Sequence, residues 1–146
     1  MSTSTQGSFL SVKTIQSYFS GSWHKKSPAS EIDIAALQKV IPIRLPGEYL
    51  KFLRWSNGGE GEFSETYLTM WSTDVIPDWN KDYRIDIKFP TMLVIADDSS
   101  QFYGYDCSNG EAEAVAFPMT SSAYSDIVYR FKDLPSLFDK LIEEYQ

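Results

Sequence analysis

The chain has 146 residues, a formal net charge of −7 and an aromatic content of 15%. A chain of this length can fold as one domain and bury about 70% of the surface of its unfolded form, so it needs neither a disulfide nor a metal. The negative charge argues against a general nucleic-acid binder and against a protein that docks on anionic membranes, because both need a basic surface.

The first eight residues are small and polar, and we expect them to be disordered ahead of a single domain over residues 9–146. They lack the basic start and the apolar run of a signal peptide, and no stretch approaches the roughly 20 apolar residues of a membrane helix. Cys107 is the only cysteine, which excludes an internal disulfide and fits a reducing compartment. These features together predict a soluble, cytoplasmic protein.

Helical signals come first along the chain. A loosely helical spacing of apolar residues favours a helix over Phe9–Phe19, and residues 20–30 have the composition of a polar loop. Ser30 is a candidate N-cap for a second helix, which Pro42 ends.

A third helix is predicted from Pro46 onward, because proline suits the first turn of a helix. Its apolar residues repeat at i, i+4, i+7 and i+8, which places them on one face: Leu45, Tyr49, Phe52 and Leu53. Glu48, Lys51 and Arg54 fall on other faces, where they can contact water. The Asn57-Gly58-Gly59 run tolerates positive φ, so the helix should stop there and the chain should turn sharply.

The middle of the chain has strand-like patterns. Strands are predicted at residues 67–71, 91–96, 102–107 and 112–117, with one more short strand at 127–131. Residues 72–90 predict a long loop with a short helical piece. An amphipathic helix, with Asp133 as N-cap, follows from Leu134 to Tyr145. The fold class is therefore α+β, with a mixed, mostly antiparallel twisted sheet packed by helices.

Four blocks, taken in this order, resemble the SUKH superfamily, which is named partly for a yeast regulator of cell-wall assembly. They are a leading helix with Ile34 and Leu37; Leu45-Pro46 with Tyr49, Phe52-Leu53 and Asn57-Gly58-Gly59; Leu93-Val94-Ile95-Ala96-Asp97-Asp98 with Tyr103-Gly104-Tyr105-Asp106; and a terminal helix with Leu137-Phe138. The resemblance spans roughly residues 30–145. Similar proteins often have glycines where this chain has Ser99-Ser100, so this position should need an unusual turn.

The resemblance implies an α+β sheet packed by helices, and binding in place of catalysis. Bacterial proteins of this kind neutralise toxins by tight association, and many of those toxins are nucleases. The chain itself has no recognisable catalytic set. His24, its only histidine, lies in a polar loop, and Asp97-Asp98 fits a turn better than a cation site. The glycines around Gly59 precede no helix, so they do not form a phosphate-binding loop.

Charge is concentrated in residues 60–113, which carry three Lys/Arg against twelve Asp/Glu. Such a segment can serve solubility alone, or it can form an electrostatic face for a basic partner. Trp79 lies in the unassigned loop and is the best candidate for an exposed aromatic anchor, whereas Trp55 and Trp71 fit core positions. The candidate partner-binding residues are Glu60, Glu62, Glu65, Trp79, Asp97, Asp98, Asp106, Glu111 and Glu113.

The leading hypothesis is an immunity protein that binds a cognate bacterial toxin and occludes it with an acidic surface. The alternative is a non-enzymatic regulatory scaffold of the cell-wall-assembly-regulator type. An enzyme is a third class, for which the sequence offers no converging polar set. No cofactor, nucleic acid or membrane partner is expected, and the oligomeric state is left open with a slight preference for a monomer.

Overall fold

The structure, a computed structural model, describes residues 13–19 and 21–144. The expected disordered residues 1–8, and the first part of the helix predicted over Phe9–Phe19, lie outside these ranges. The remainder of that predicted helix forms a short 3₁₀ helix at Ile15–Tyr18. A second 3₁₀ helix lies at Tyr124–Asp126.

The described chain contains one seven-stranded sheet whose spatial order follows the sequence, and every neighbouring pair is antiparallel. The strands are β1 His24–Lys25, β2 Gly59–Phe63, β3 Thr66–Met70, β4 Met92–Asp97, β5 Gln101–Asp106, β6 Glu113–Pro118 and β7 Tyr129–Phe131. The helices are α1 Glu31–Lys39, α2 Gly47–Trp55, α3 Ile76–Asp82, α4 Ile85–Lys88 and α5 Leu134–Glu144. The predicted α+β class is confirmed.

Several local predictions are also confirmed. Ser30 caps α1 in a reciprocal pair of hydrogen bonds with Asp33, and the Asp133 carboxylate accepts from the Ser136 N–H at 2.8 Å at the start of α5. Gly58 and Gly59 have φ values of 86° and 125°, which is the positive-φ turn expected after α2. The predicted strands after residue 66 all form, with ends within two residues of those expected.

Strands β1 and β2 are not predicted by the sequence, which indicates a polar loop over residues 20–30 and a turn at Asn57-Gly58-Gly59. Strand β2 begins at Gly59, directly after the positive-φ turn. Trp23 lies against its glycines: a Cβ added at Gly59 would stand 2.9 Å from the Trp23 indole nitrogen, and one at Gly61 would stand 2.9 Å from its Cα. Glycine lowers strand propensity, but here it makes the space that the indole occupies.

Residues 72–90 form two helices, so the prediction of a long loop with one short helical piece is wrong for most of this segment. The helices α3 and α4 are separated by Tyr83 and Arg84, and Arg84 has a φ of 62°. Asn80 is buried in α3, and its side-chain amide bonds the backbone of Val94 in β4. This contact holds the segment against the middle of the sheet.

The two faces of the sheet are covered differently. Directly opposed residues of an antiparallel pair share a face, and successive residues alternate. On the inner face, Tyr105 packs 5.9 Å from the Tyr49 ring of α2, and Phe63 lies 4.7 Å from Phe138 of α5. The outer face contains one row across β1 to β6, which is formed by His24, Glu60, Thr69, Asp97, Phe102 and Phe117.

The segment α3–α4 covers only one half of the outer face. Tyr83 lies 4.9 Å from Phe102 of β5, and Phe89 lies 5.2 Å from Phe117 of β6. On β2 and β3 the outer-face residues Glu62 and Tyr67 are exposed. The half of the outer face that belongs to β2 and β3 therefore contacts solvent.

Candidate partner-binding face

The exposed part of the outer face gathers acidic residues from two strands, β2 and β4, on either side of β3. Glu60 opposes Thr69, and Thr69 opposes Asp97, so the two carboxylates stand two strand spacings apart, about 10 Å between their Cα atoms. Glu62 opposes Tyr67 on the same face, two residues along β2 from Glu60, so Glu60 and Glu62 share one side of the strand.

Two turns extend this acidic row at one end of the sheet. Glu65 lies in the β2–β3 turn and is exposed. Asp98 begins the β4–β5 turn. Strands β3 and β4 are antiparallel, and Thr69 of β3 opposes Asp97, the last residue of β4. The start of β3 therefore lies at the end of the sheet where β4 runs into that second turn. Both turns therefore lie at the same end of the sheet. We use the name acidic face for the outer-face carboxylates together with those of the two adjoining turns: Glu60, Glu62, Glu65, Asp97 and Asp98.

A cleft joins the acidic face to α3. It has a volume of about 140 Å³, and its lining includes Glu60, Thr69, Trp71, Val75 and Trp79. Trp79 is 37% exposed and packs edge-on against the buried Trp71, with 5.0 Å between ring centroids. The structure thus confirms that Trp71 is a core residue and that Trp79 is exposed, although Trp79 lies on a helix and not in a loop.

Three exposed aromatic rings border this region. Tyr67 is 46% exposed on β3, Tyr83 is 44% exposed after α3, and Trp79 lies in the cleft wall. The Tyr67 hydroxyl donates to Glu60 Oε2 at 3.1 Å. Partial desolvation, together with the neighbouring Glu60 and Glu62, raises the pKa of the Tyr67 hydroxyl. Exposed Tyr and Trp beside uncovered carboxylates are typical of protein interfaces, which are enriched in these aromatic residues.

Asp97 and Asp98 build the turn that they precede. Asp97 Oδ1 accepts the Ser99 N–H at 2.8 Å, while Asp97 Oδ2 accepts the Trp71 indole N–H at 2.8 Å. Asp98 Oδ1 accepts the N–H groups of Ser100 and Gln101, and Asp98 Oδ2 accepts the Tyr103 hydroxyl at 2.7 Å. Ser99 has a φ of 73°, which confirms the unusual turn expected at this position. Both carboxylates remain partly accessible, so they add charge to the acidic face as well as shaping the turn.

No Lys, Arg or His nitrogen of the described residues lies within 4 Å of a carboxylate of the acidic face. The ion pairs of residues 13–19 and 21–144 involve other acids, namely Asp139, Glu31, Asp106, Glu113 and Glu143. The charge of the acidic face is therefore not neutralised by close ion pairs within the described chain, although Lys26 lines one end of the cleft.

The remaining predicted acids lie at the opposite end of β5. A six-residue strand separates them from Asp98 by about 17 Å along the strand. Glu111 is exposed in the β5–β6 connection, and Glu113 pairs with Arg130 at 3.0 Å. These acids do not share a continuous surface with the acidic face.

The prediction that Asp106 contacts a partner is wrong, because this residue is completely buried. Its carboxylate accepts from the Thr91 hydroxyl at 2.7 Å, from Arg130 at 3.0 Å and from Ser108. Burial by itself would raise the pKa of Asp106, but the bonds from Ser108, Thr91 and Arg130 outweigh burial and leave the pKa lowered. Asp106 holds together the strand ends around Thr91 and Arg130.

Glu48 is a partly buried carboxylate, so the prediction that it lies in water is wrong. Its Oε2 accepts the Tyr105 hydroxyl at 2.6 Å and the Leu134 N–H at 2.7 Å, so it joins α2, β5 and the first turn of α5. Burial raises the pKa of Glu48 despite these two bonds. Its partners lie 57 and 86 residues away in sequence, so no local pattern could have revealed them.

The described residues hold no group of three His, Cys, Asp or Glu side chains arranged to bind a metal ion. His24 is exposed on β1, and the half-buried Cys107 thiol donates to the Thr91 carbonyl at 3.3 Å. Trp55 is half-buried, with Lys25 Nζ 5.4 Å from its ring centroid. No helix in the described part of the chain is long and apolar enough to cross a membrane.

Comparison with known proteins identifies the family. A model of the SMI1 / KNR4 family (SUKH-1) matches residues 28–140, which include all of the acidic face and Trp79. No curated protein matches the chain. The match covers more than half of the 146 residues and agrees with the resemblance seen in the four sequence blocks. The chain therefore belongs to the SMI1 / KNR4 family (SUKH-1).

Proposed function

We propose that this protein is an immunity protein that binds a cognate bacterial toxin and blocks it through the acidic face and Trp79. Membership in the SUKH-1 family is consistent with an immunity-like protein. The observation that carries the proposal is the unpaired charge of the acidic face next to three exposed aromatic rings. This combination favours a partner with a basic surface, such as a nuclease, whose substrate phosphates require positive charge.

The proposed contact set is narrower than the set predicted from sequence. It keeps five acids and Trp79. Glu60, Glu62 and Asp97 lie on the outer face, Glu65 and Asp98 lie in the two turns at one end of it, and Trp79 borders the cleft. It leaves out the buried Asp106, and also Glu111 and Glu113, which lie at the other end of the sheet.

The proposed mechanism is steric occlusion with electrostatic steering. Opposite fields raise the rate at which two proteins meet, and exposed aromatic anchors slow their separation by burying large apolar areas. Tyr67, Trp79 and Tyr83 are well placed for the second role. No catalysis is needed for this activity, and we propose that the protein is not an enzyme and uses no cofactor.

The second candidate function is a regulatory scaffold of the cell-wall-assembly-regulator type, since the matching family carries that regulator's name as well as the SUKH-1 name. The acidic face would then bind a basic segment of a cellular partner. A cytoplasmic location and the absence of direct nucleic-acid or membrane binding belong to both proposals.

Co-expression tests the immunity proposal. Cells that express the cytotoxic domain encoded beside this chain's gene should grow when they also express the wild-type chain, and should lose protection when Glu60, Glu62 and Glu65 are replaced together by glutamine. Glu143→Gln is the matched control, because Glu143 is exposed on α5 and not on the outer face of the sheet. Absence of protection by the folded wild-type chain would rule out the immunity function for that toxin.

A further inference from the structure

We propose that the cleft between Glu60 and Trp79 receives a single arginine side chain of the partner. This inference deepens the proposed function and rests on it, because it names the group by which the partner is recognised. Recognition of an arginine requires three features at one place: space for a planar head group, an available carboxylate and an aromatic ring.

The size of the cleft fits one side-chain head group. Its volume is about 140 Å³, whereas a cavity of about 150 Å³ in a protein core holds one benzene molecule. A guanidinium group is planar and smaller than a benzene ring with its hydrogens, so it fits with part of its methylene stem.

The polar atoms of the cleft suit a cation with several donors. Glu60 Oε2 accepts the Tyr67 hydroxyl, while Glu60 Oε1 makes no hydrogen bond with any described residue. Asp97 lies two strands away in the same row and adds a second negative charge. An incoming guanidinium can therefore donate to Glu60 while the charge of Asp97 stabilises it from the side.

The aromatic wall favours arginine over lysine. Trp79 is 37% exposed beside Glu60, and indole is the best cation–π partner among the aromatic side chains. Guanidinium stacks on aromatic faces and pairs with carboxylates in a planar fork, whereas an ammonium acts as a compact, strongly hydrated point charge. A nucleotide of a nucleic acid would instead be repelled, because its phosphate and the acidic face are both negatively charged.

Lys26 provides a way to distinguish a bound cation from a bound anion. This residue lines the cleft but has no ion pair with Glu60 within 4 Å. Its ammonium repels an incoming guanidinium, so removing that charge should strengthen binding of arginine. If the cleft received an anion, removing Lys26 would have the opposite effect.

The test is an NMR titration of the full chain with the blocked tripeptide acetyl-Gly-Arg-Gly-amide, and with the same peptide containing neutral citrulline. We expect the arginine peptide to shift the Trp79 indole N–H resonance in a saturable way, with a dissociation constant on the order of millimolar. Citrulline has nearly the same shape without the charge, and we expect it to bind about tenfold more weakly or less.

Three variants locate the binding. Glu60→Gln keeps the size of the side chain and should weaken arginine binding by about tenfold, while Lys26→Met should tighten it by about twofold to threefold. Glu143→Gln should leave it unchanged. Equal shifts with arginine and citrulline, weakening by Lys26→Met, or equal losses in Glu60→Gln and Glu143→Gln would each overturn the inference.

The two proposals fail separately. A chain that protects cells from the toxin but does not distinguish arginine from citrulline overturns only the arginine cleft. A chain that binds the arginine peptide at Trp79 but never neutralises a toxin overturns only the immunity function.

Discussion

Asn80 of α3 pairs with Val94 of β4 through both ends of its side-chain amide. Its Nδ2 donates to the Val94 carbonyl at 2.9 Å and its Oδ1 accepts the Val94 N–H at 3.0 Å. The pairing of β3 with β4 reaches only from Asp97 to Ala96, with one further bond from the Trp71 N–H to the Ile95 carbonyl. At Val94, the Asn80 amide therefore makes the two backbone hydrogen bonds that a longer β3 would make. This pairing positions the helix that carries Trp79.

Replacing Asn80 by leucine should lower the free energy of unfolding by about 2–4 kcal/mol, because the buried N–H and C=O of Val94 would lose their partners. Chemical denaturation monitored by circular dichroism measures this change. Asn109→Ala is the control, since Asn109 lies in an exposed turn, and it should change stability by less than about 0.5 kcal/mol. A loss below about 1 kcal/mol in Asn80→Leu would show that the amide pairing contributes little.

Gly61→Ala should destabilise the protein by about 1–3 kcal/mol, since the added methyl would stand 2.9 Å from the Ser22 carbonyl oxygen and 2.9 Å from the Trp23 Cα. Both contacts involve backbone atoms, which cannot move aside cheaply. Thermal unfolding of Gly61→Ala and Gly21→Ala provides the comparison, because a methyl at Gly21 meets nothing within 4 Å. Equal melting temperatures for the two variants would contradict the packing of Trp23 on β2.

Glu48 predicts a pH dependence of stability. Its pKa is raised in the folded protein by burial, so the folded state holds this proton more tightly than the unfolded state. The contribution of Glu48 to stability therefore falls as the pH rises from its unfolded pKa of about 4.5 through its higher folded pKa. Glu48→Gln removes the titration but keeps an oxygen that can accept from Tyr105 and Leu134.

The measurement for Glu48 is the difference in unfolding free energy between Glu48→Gln and the wild type, taken at a series of pH values. This difference should move in favour of the variant as the pH rises above about 4.5, and then level off above the folded pKa. A constant difference would mean that the two hydrogen bonds cancel the effect of burial on the pKa of Glu48. A difference that moves in favour of the wild type would mean that these bonds outweigh burial and stabilise the ionised carboxylate.

Substitutions in the two acidic regions of the sheet should have different effects on the rate of association with the toxin. Glu62→Gln on the acidic face should slow association by about twofold to fivefold, whereas Glu111→Gln at the other end of β5 should leave the rate unchanged. Stopped-flow mixing with the toxin domain measures both rates. Equal slowing by the two substitutions would show that net charge matters and that its placement on the sheet does not.

Much of the fold was predictable from local patterns. The helical stripe at Tyr49, Phe52 and Leu53 and the apolar run of β4 are strong periodic signals, and both elements form where expected. Strand β2 was not predictable, because Gly59 and Gly61 argue against a strand until the position of Trp23 is known. The helix around Asn80 has apolar residues at helical spacing, namely Ile76, Trp79 and Tyr83, but it is only seven residues long and polar residues surround them. Its buried pairing with Val94 joins residues 14 positions apart, so no local pattern could indicate it.

The candidate site was only partly predictable for a similar reason. Charge and residue type identified Glu60, Glu62 and Trp79, but strand register decides which acids share a face. In the sequence, residue type alone does not distinguish Asp106 and Glu48 from the acids that lie on the surface. Only the packing of distant partners, such as Arg130 on Asp106 and Tyr105 on Glu48, separates them from the acidic face.

The most direct test of the acidic face is the association rate with the toxin domain, measured by stopped flow at about 0.05 M and about 0.5 M salt. The Debye length falls from about 14 Å to about 4 Å over this range, so steering by the face should largely disappear. The account predicts that the wild-type rate falls by about tenfold or more, while the rate of the Glu60→Gln, Glu62→Gln, Glu65→Gln triple variant is already low and changes by less than about threefold. A wild-type rate that does not depend on salt, or a triple variant that associates as fast as the wild type, would contradict it.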